Sequence, residues 1–246
     1  MFLVDIKKNI KINMFWIGEE LSNLEILSIK SHLKVGHNVY LWCYETPKNT
    51  PKEVVIKNAG EILQKKDIFS YQRGEGRGSF SACSNLFRYK LIYEYGGWWS
   101  DTDVVALKKF NFDKPYVFAS ERNRNFFCFP TTCVFKCERK SKIMKDCLEA
   151  AEKIDKETLE WSTIGPKLLS KSVFNNWLED YVMAPDVFCP INWFDIENNP
   201  LIENTPDFEN SYAIHMWHEM WRRKKIDKNK KFNENCLFEK LKNDIL

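Results

Sequence analysis

Asp101 and Asp103 stand two residues apart in the run WWSDTDVV, residues 98–105. If that run is extended, both carboxylates point to one side of it. Two carboxylates so placed hold a hard divalent cation through oxygen. Such a cation can bridge phosphate oxygens and neutralise the charge on a departing diphosphate. Alone, an Asp-x-Asp triplet is weak, because it recurs by chance and is usually a solvated turn. Here it closes one continuous phrase, SNLFRYKLIYEYGGWWSDTD, residues 84–103. Within it Asn85 and Arg88 are three apart and share a helical face, so Arg88 can reach sugar hydroxyls or phosphate near the cation. The plainer alternative for Arg88 is a surface guanidinium paired with Glu94 or another acid.

Several elements must position these residues. Ala82–Tyr95 reads as a helix that buries Leu86, Phe87, Tyr89, Leu91 and Tyr95, with Ser81 as N-cap and Gly96-Gly97 as its stop. Upstream, Lys11–Ile17 reads as a strand ending at Gly18. Residues 22–35 carry Leu24, Ile26, Leu27, Ile29 and Leu33 at helical spacing before Gly36, and 38–44 read as a second strand. Strand, helix and strand of these lengths make a βαβ unit with a parallel sheet. Pro51 is read as opening a short helix. Residues 71–81, YQRGEGRGSFS, miss the GxGxxG spacing and read as a mobile surface loop, with an active-site flap as the alternative. Further on come a strand near 133–136 and helices over 141–154, 166–177 and 234–246. No repeat or linker divides the chain, so residues 1–246 read as a single α/β domain.

Composition narrows the class. In 246 residues, 37 basic side chains are nearly balanced by 34 acidic ones, a net charge of +3 that argues against a nucleic-acid partner. Residues 1–13 lack the continuous apolar core of a signal peptide, and no stretch approaches the roughly 18 apolar residues that span a bilayer. These features predict a cytoplasmic protein whose eight cysteines are reduced. Cys128, Cys133 and Cys137 lack paired CxxC spacing and read as buried thiols in preference to a zinc cluster. The basic run from Arg222 to Lys231 reads as a solvated face. A sharper reading is weak peripheral contact with anionic lipid at the inner face of the membrane.

The long phrase resembles that of the DXD sugar-binding glycosyltransferases of family 32, which is roughly SDxxRYxxLxxxGGxYxDxD. Ser84, Arg88, Tyr89, Leu91 or Ile92, Gly96, Gly97, Asp101 and Asp103 match at the same spacing. An opening similar to FIWIG appears as Met14 to Gly18, and a closing motif similar to AIHHWAGSW as Ala213 to Trp221. The resemblance implies a GT-A fold with a mostly parallel central sheet, a UDP-sugar donor, Mn2+ (or Mg2+), and retention of anomeric configuration. It also implies a glycan or glycolipid acceptor and a place in surface polysaccharide synthesis. Carried over residue by residue, Trp16 stacks on the base with Ile17 beside it. Asn85, Arg88 and Trp99 lie against the donor, and Asp101 and Asp103 serve metal and diphosphate. His215 is a further metal ligand, and Trp221 donates its indole N–H to a phosphate oxygen. Gly165-Pro166 resembles a turn on the acceptor side. Two departures stand out: Asn85 replaces the usual Asp, and Met220 the usual Ser.

Plainer readings remain beside these. His215 can be a satisfied histidine next to a core strand, and His32, His37 and His218 read as ordinary. Trp98 and Trp99 can simply pack the sheet. As functions, a non-catalytic sugar-binding module and a DxD phosphohydrolase compete with transfer. The phosphohydrolase motif normally closes a strand near the N-terminus, whereas here a helix and two glycines precede the triplet.

Overall fold

The computed structural model describes residues 9–198 and 207–246. The first eight residues, part of the segment read as carrying no leader, lie outside the described residues. β1 (Lys11–Trp16), α1 (Asn23–Lys34) and β2 (Asn38–Cys43) form the predicted βαβ unit, with β1 and β2 parallel from Lys11↔Asn38 to Trp16↔Cys43. Ser22 starts α1 through a capping box: its side chain accepts from the Leu24 N–H, and the Glu25 carboxylate accepts from the Ser22 N–H at 2.8 Å. β3 (Val55–Asn58) adds to β2 in parallel and was not foreseen, since its residues are largely exposed and show no apolar alternation. Pro51 opens a turn before β3, closed by the Val54 N–H on the Pro51 carbonyl, and starts no helix.

α2 (Ser81–Tyr95) begins one residue earlier than predicted, so Phe80 takes the N-cap position and Ser81 does not cap. Tyr95, expected to be buried, is exposed at its last position. It ends where Gly96 turns to φ +67; a Cβ there would lie 2.6 Å from the Arg139 nitrogen, so the close approach requires glycine. The chain re-enters the sheet as β4 (Gly97–Ser100), parallel to β1. β5 (Val104–Ala106) leaves the sheet, and β6 (Val117–Arg122) and β7 (Cys128–Cys137) return as an antiparallel pair. β7 also pairs antiparallel with β4, giving the order β3-β2-β1-β4-β7-β6. After α3 (Lys142–Glu152), α4 (Pro166–Asn175), α5 (Pro185–Phe188) and α6 (Trp193–Asn198), β8 (Ala213–His215) runs antiparallel to β5, Val104 opposite His215. α7 (His218–Arg223) and α8 (Leu237–Ile245) close the order.

Each face of the six-stranded sheet carries its own core. α2, α3 and α4 bury Phe87, Tyr89, Met144 and Leu169 on one side, and α1, α8 and the β5–β8 pair bury Leu24, Ile214 and Phe238 on the other. Adjacent residues split between them as strand geometry requires, Trp98 facing one core and Trp99 the other.

α1 does more than cover apolar surface. The Ser28 hydroxyl donates to the Val104 carbonyl at 2.7 Å, and the Ala106 N–H donates to the Ser31 hydroxyl at 2.8 Å. These bonds satisfy the side of β5 that has no strand beside it. A buried clamp ties the C-terminal segment to the same helix: the Glu25 carboxylate, 0% exposed, meets Lys228 Nζ at 2.5 Å. Lys228→Met should leave that carboxylate unpaired and lower stability by about 3 kcal/mol in a denaturant titration. Adding Glu25→Gln should restore a good part of the loss. A double variant no more stable than the single would show that the pair does not act as a clamp.

Candidate active site

The carboxyl ends of the parallel strands β1 and β4 open into a cleft of about 520 Å3, where ligands of open α/β sheets bind. Its walls bring together Trp16 and Ile17, Asn85 and Arg88 of α2, the Asp101–Asp103 turn, Glu121, and His215. Of the residues singled out from sequence, Trp99 and Trp221 do not line it.

Arg88 organises the floor. Its guanidinium is 3% exposed and meets Asp101 with Nη2 at 3.0 Å from Oδ1 and Nη1 at 3.3 Å from Oδ2. Nη1 also donates to the Thr132 carbonyl, Nη2 to the Ser84 hydroxyl and Nε to the Ser84 carbonyl, so every guanidinium nitrogen is engaged. Arg88 therefore holds Asp101 in place. Glu94, the alternative partner, pairs with Lys140 instead. Trp99 is also corrected: it lies beneath the guanidinium, 4.8 Å from ring centroid to Cζ, and its indole N–H donates to Asp101 Oδ1 at 2.8 Å. It positions the carboxylate from inside the core.

Asp101 and Asp103 do come together, though not through an extended run. Asp101 follows β4, its N–H held by the Cys133 carbonyl, and residues 102–103 form a turn into β5. On the facing strand, β8 ends at His215, and Trp217 adopts a left-handed φ of 54°. That conformation is costly for a bulky residue. It swings the His218 N–H onto Asp103 Oδ2 at 2.7 Å, while His215 Nε2 faces the same oxygen at 3.2 Å. Ligating atoms of Asp101, Asp103 and His215 lie within 4.8 Å of one another. Burial pushes the Asp101 carboxyl up, against Arg88, and the Asp103 charge adds to the rise. Burial would raise Asp103 too, but His215 and then His218 hold it well below the usual carboxylate range. Burial pulls the His215 imidazole down, yet Asp103 and Cys133 bring it well above its ordinary value. Two carboxylates and an imidazole that gather this closely form a candidate site for a divalent cation.

The remaining predicted residues divide. Trp16 keeps its ring at the cleft while its indole N–H donates to the Glu20 carbonyl. Asn85 lies in the wall against Gly165, where a Cβ would sit 2.9 Å from its amide nitrogen. Met220 and Pro166 also face the cleft. Trp221 is fully buried, and its indole N–H donates to the Met216 carbonyl at 2.8 Å, so here it is not turned toward the phosphate role that the closing motif implied. Residues 71–81 are packed against the cleft wall: Tyr71 is buried, Gly76 sits under the Trp161 ring, and Glu75 pairs with Arg223. This favours the flap over the surface loop. In the basic run, Arg222 and Arg223 pair with Glu219, and Lys228 with Glu25, which leaves Lys224, Lys225, Lys230 and Lys231 exposed. Cys128 is exposed and apart from Cys133, whose neighbour is Cys189 at 3.5 Å.

Sequence reasoning missed His218 and Glu121. His218 acts through a backbone N–H, which no residue type announces. Glu121 had a faint signal, an acid inside the apolar strand VFASER. Burial pushes its carboxyl from 4.5 to about 7, opposed by Thr131 and His215. Between those values the folded state binds more protons than the unfolded, so stability falls as pH rises through that window. Relative to Glu121→Gln, the parent protein should lose ~3 kcal/mol between pH 4.5 and pH 7. Parallel stability curves for the two proteins would overturn this.

Comparison with known proteins follows the same geometry. Residues 19–122 match the family described as "Glycosyltransferase sugar-binding region containing DXD motif". The human alpha-1,4-N-acetylglucosaminyltransferase is 22% identical over 178 residues, covering 65% of this chain and 50% of the relative, so the chain spans about half the length of that protein. Among solved structures, the PaToxG glycosyltransferase superposes with a TM-score of 0.51 at 18% identity, over 68% of this chain and 69% of its own. That likeness bears on fold alone, and the fold is the GT-A type α/β arrangement with a mostly parallel central sheet. Residues 19–122, which contain both the Arg88 helix and the Asp101–Asp103 turn, are thus similar to the glycosyltransferase sugar-binding region that contains the DXD motif.

Proposed function

We propose that the chain is a metal-dependent, retaining glycosyltransferase that moves a hexose or N-acetylhexosamine from a UDP-sugar to a glycan or glycolipid acceptor. In this reading residues 1–246 act as one catalytic domain serving surface polysaccharide synthesis. The observation that carries it is the convergence of Asp101, Asp103 and His215 in a cleft entered past Trp16. The name of the human relative favours an N-acetylhexosamine donor.

Asp101, Asp103 and His215 would hold the cation, Mn2+ in preference to Mg2+ because an imidazole joins the two carboxylates. Bound there, such an ion supplies Lewis-acid stabilisation of a leaving diphosphate. Everything else falls to the chain. Arg88 and Trp99 fix the rotamer of Asp101, the His218 N–H fixes Asp103, and the Trp16 ring offers a stacking face for a base. Transfer is a front-face substitution: the bond from the anomeric carbon to the diphosphate breaks, and the acceptor oxygen bonds to that carbon from the same side. The acceptor proton passes to a diphosphate oxygen. Inactivity of a folded Glu121→Gln variant would instead favour a covalent route through that carboxyl.

No helix among the described residues is long and apolar enough to cross a membrane. We keep a cytoplasmic location in the proposal, and any weak contact with anionic lipid then rests on Lys224, Lys225, Lys230 and Lys231.

Asp101→Asn and Asp103→Asn should each abolish most hydrolysis and transfer while the fold is retained by circular dichroism. Chelator should silence the parent, and Mn2+ should restore it better than Ca2+. Full turnover in excess chelator would end the metal-dependent reading, and donor binding without turnover would leave a sugar-binding module. Asn85 supports a further expectation. Its amide offers both a donor and an acceptor to a sugar, and Asp101 already neutralises the Arg88 charge. Across a panel of UDP-sugars, Asn85→Asp should therefore change the ratio of donors used as well as the overall rate. An unchanged ratio would show that Asn85 does not read the sugar.

A further inference from the structure

On the far side of His215 from Asp103 lies a group of side chains that this function does not use. Cys133 of β7 and Cys189, just after α5, are both buried, with their sulfurs 3.5 Å apart. A ring nitrogen of His215 lies within 4.8 Å of both. We propose that Cys133, Cys189 and His215 form a second cation site, a thiolate-rich one suited to Zn2+, adjoining the carboxylate site.

Three observations carry it. The sulfur separation is close to what a tetrahedral zinc requires, since two thiolates each about 2.3 Å from the ion sit roughly 3.8 Å apart. His215 is already oriented as a ligand. Its Nε2 faces Asp103 Oδ2 at 3.2 Å, and a carboxylate on one ring nitrogen is the usual device that turns the other toward a metal. That other nitrogen, Nδ1, is buried and has no hydrogen-bond partner. An S–H···S contact between the cysteines would explain the sulfurs but not the approach of the His215 ring to both of them. Cys133 and His215 both line the cleft, so an ion has a route in and a fourth position open to water. Binding is balanced by release to solvent of the two thiol protons and of any proton on Nδ1, leaving two thiolates and the neutral imidazole on the ion.

One consequence rests on the proposed function: zinc held through Nδ1 keeps Nε2 protonated on Asp103, and so withdraws His215 from the carboxylate site. The zinc site itself does not depend on that reading.

The test uses the metal-free full chain, kept reduced with a phosphine and titrated with Co2+, without any sugar. The parent should develop a thiolate-to-cobalt charge-transfer absorption that saturates at one equivalent and is bleached by Zn2+. Cys133→Ser and Cys189→Ser should each lose it, whereas Cys137→Ser, on the same strand but outside the cluster, should keep it. Asp103→Asn should weaken Zn2+ binding about 10- to 100-fold. In the parent, Zn2+ should also protect Cys133 and Cys189 from alkylation, read by peptide mass spectrometry, so the outcome does not hang on a variant folding. Absence of the thiolate band in the parent, or its survival in either serine variant, overturns the site. Because no donor is present, such a failure leaves the glycosyl-transfer reading untouched.

Discussion

A guanidinium removed from water must find an acceptor for each of its five N–H groups, or the fold is penalised by several kcal/mol. Arg88 meets that demand with Asp101, the Thr132 carbonyl, and the hydroxyl and carbonyl of Ser84. Those acceptors come from α2, from the turn after β4 and from β7, so one side chain fixes the relative positions of three elements. Trp99 completes the arrangement, stacking under the cation and donating to its carboxylate partner. The motif residues are thus first a packing solution. The cleft inherits its rigidity from them.

The second half of the site is held by a different logic. Asp103, just before β5, and His215, at the end of β8, flank the short β5–β8 pair, which has no further strand beside it among the described residues. α1 supplies the bracing through Ser28 and Ser31, hydroxyls that take the place of a neighbouring strand. The buried His32–His37 pair joins this seam: His32 faces the Ser100 hydroxyl, and the Phe110 N–H donates to His37. Both imidazoles are pushed by burial below the ordinary histidine range, His37 to about 4. They stay neutral near pH 7, as a seam inside an apolar core requires.

What could be read from the chain divides along physical lines. The βαβ start, α2 and the Asp-x-Asp triplet declare themselves through periodicity, glycine stops and spacing, all local signals. β3 did not, because an edge strand with exposed residues such as Val55 and Ile56 carries no alternation. The polar seam of α1 was hidden because Ser28 and Ser31 lie outside the apolar spacing that marks the helix, and their partners sit on distant β5. The roles of Arg88, Trp99 and Trp221 moved for one shared reason. Sequence fixes which groups can donate hydrogen bonds, but only the packed structure shows which donors are already taken. Glu121, His218 and Cys189 entered the picture through contacts between distant segments, which no spacing rule records.

The position of His218 has a consequence for how the molecule is made. The N–H that fixes Asp103 arrives 115 residues after it in the chain. At a synthesis rate of about 5–20 residues per second, the two aspartates therefore emerge several seconds or more before the groups that organise them. During that interval the nascent segment bears its acidic turn with neither the imidazole of His215 nor the amide of His218 in place. A cation meeting it then finds only loosely held carboxylates, and the full set of groups waits for β8 to dock. The complete arrangement is thus assembled late in synthesis.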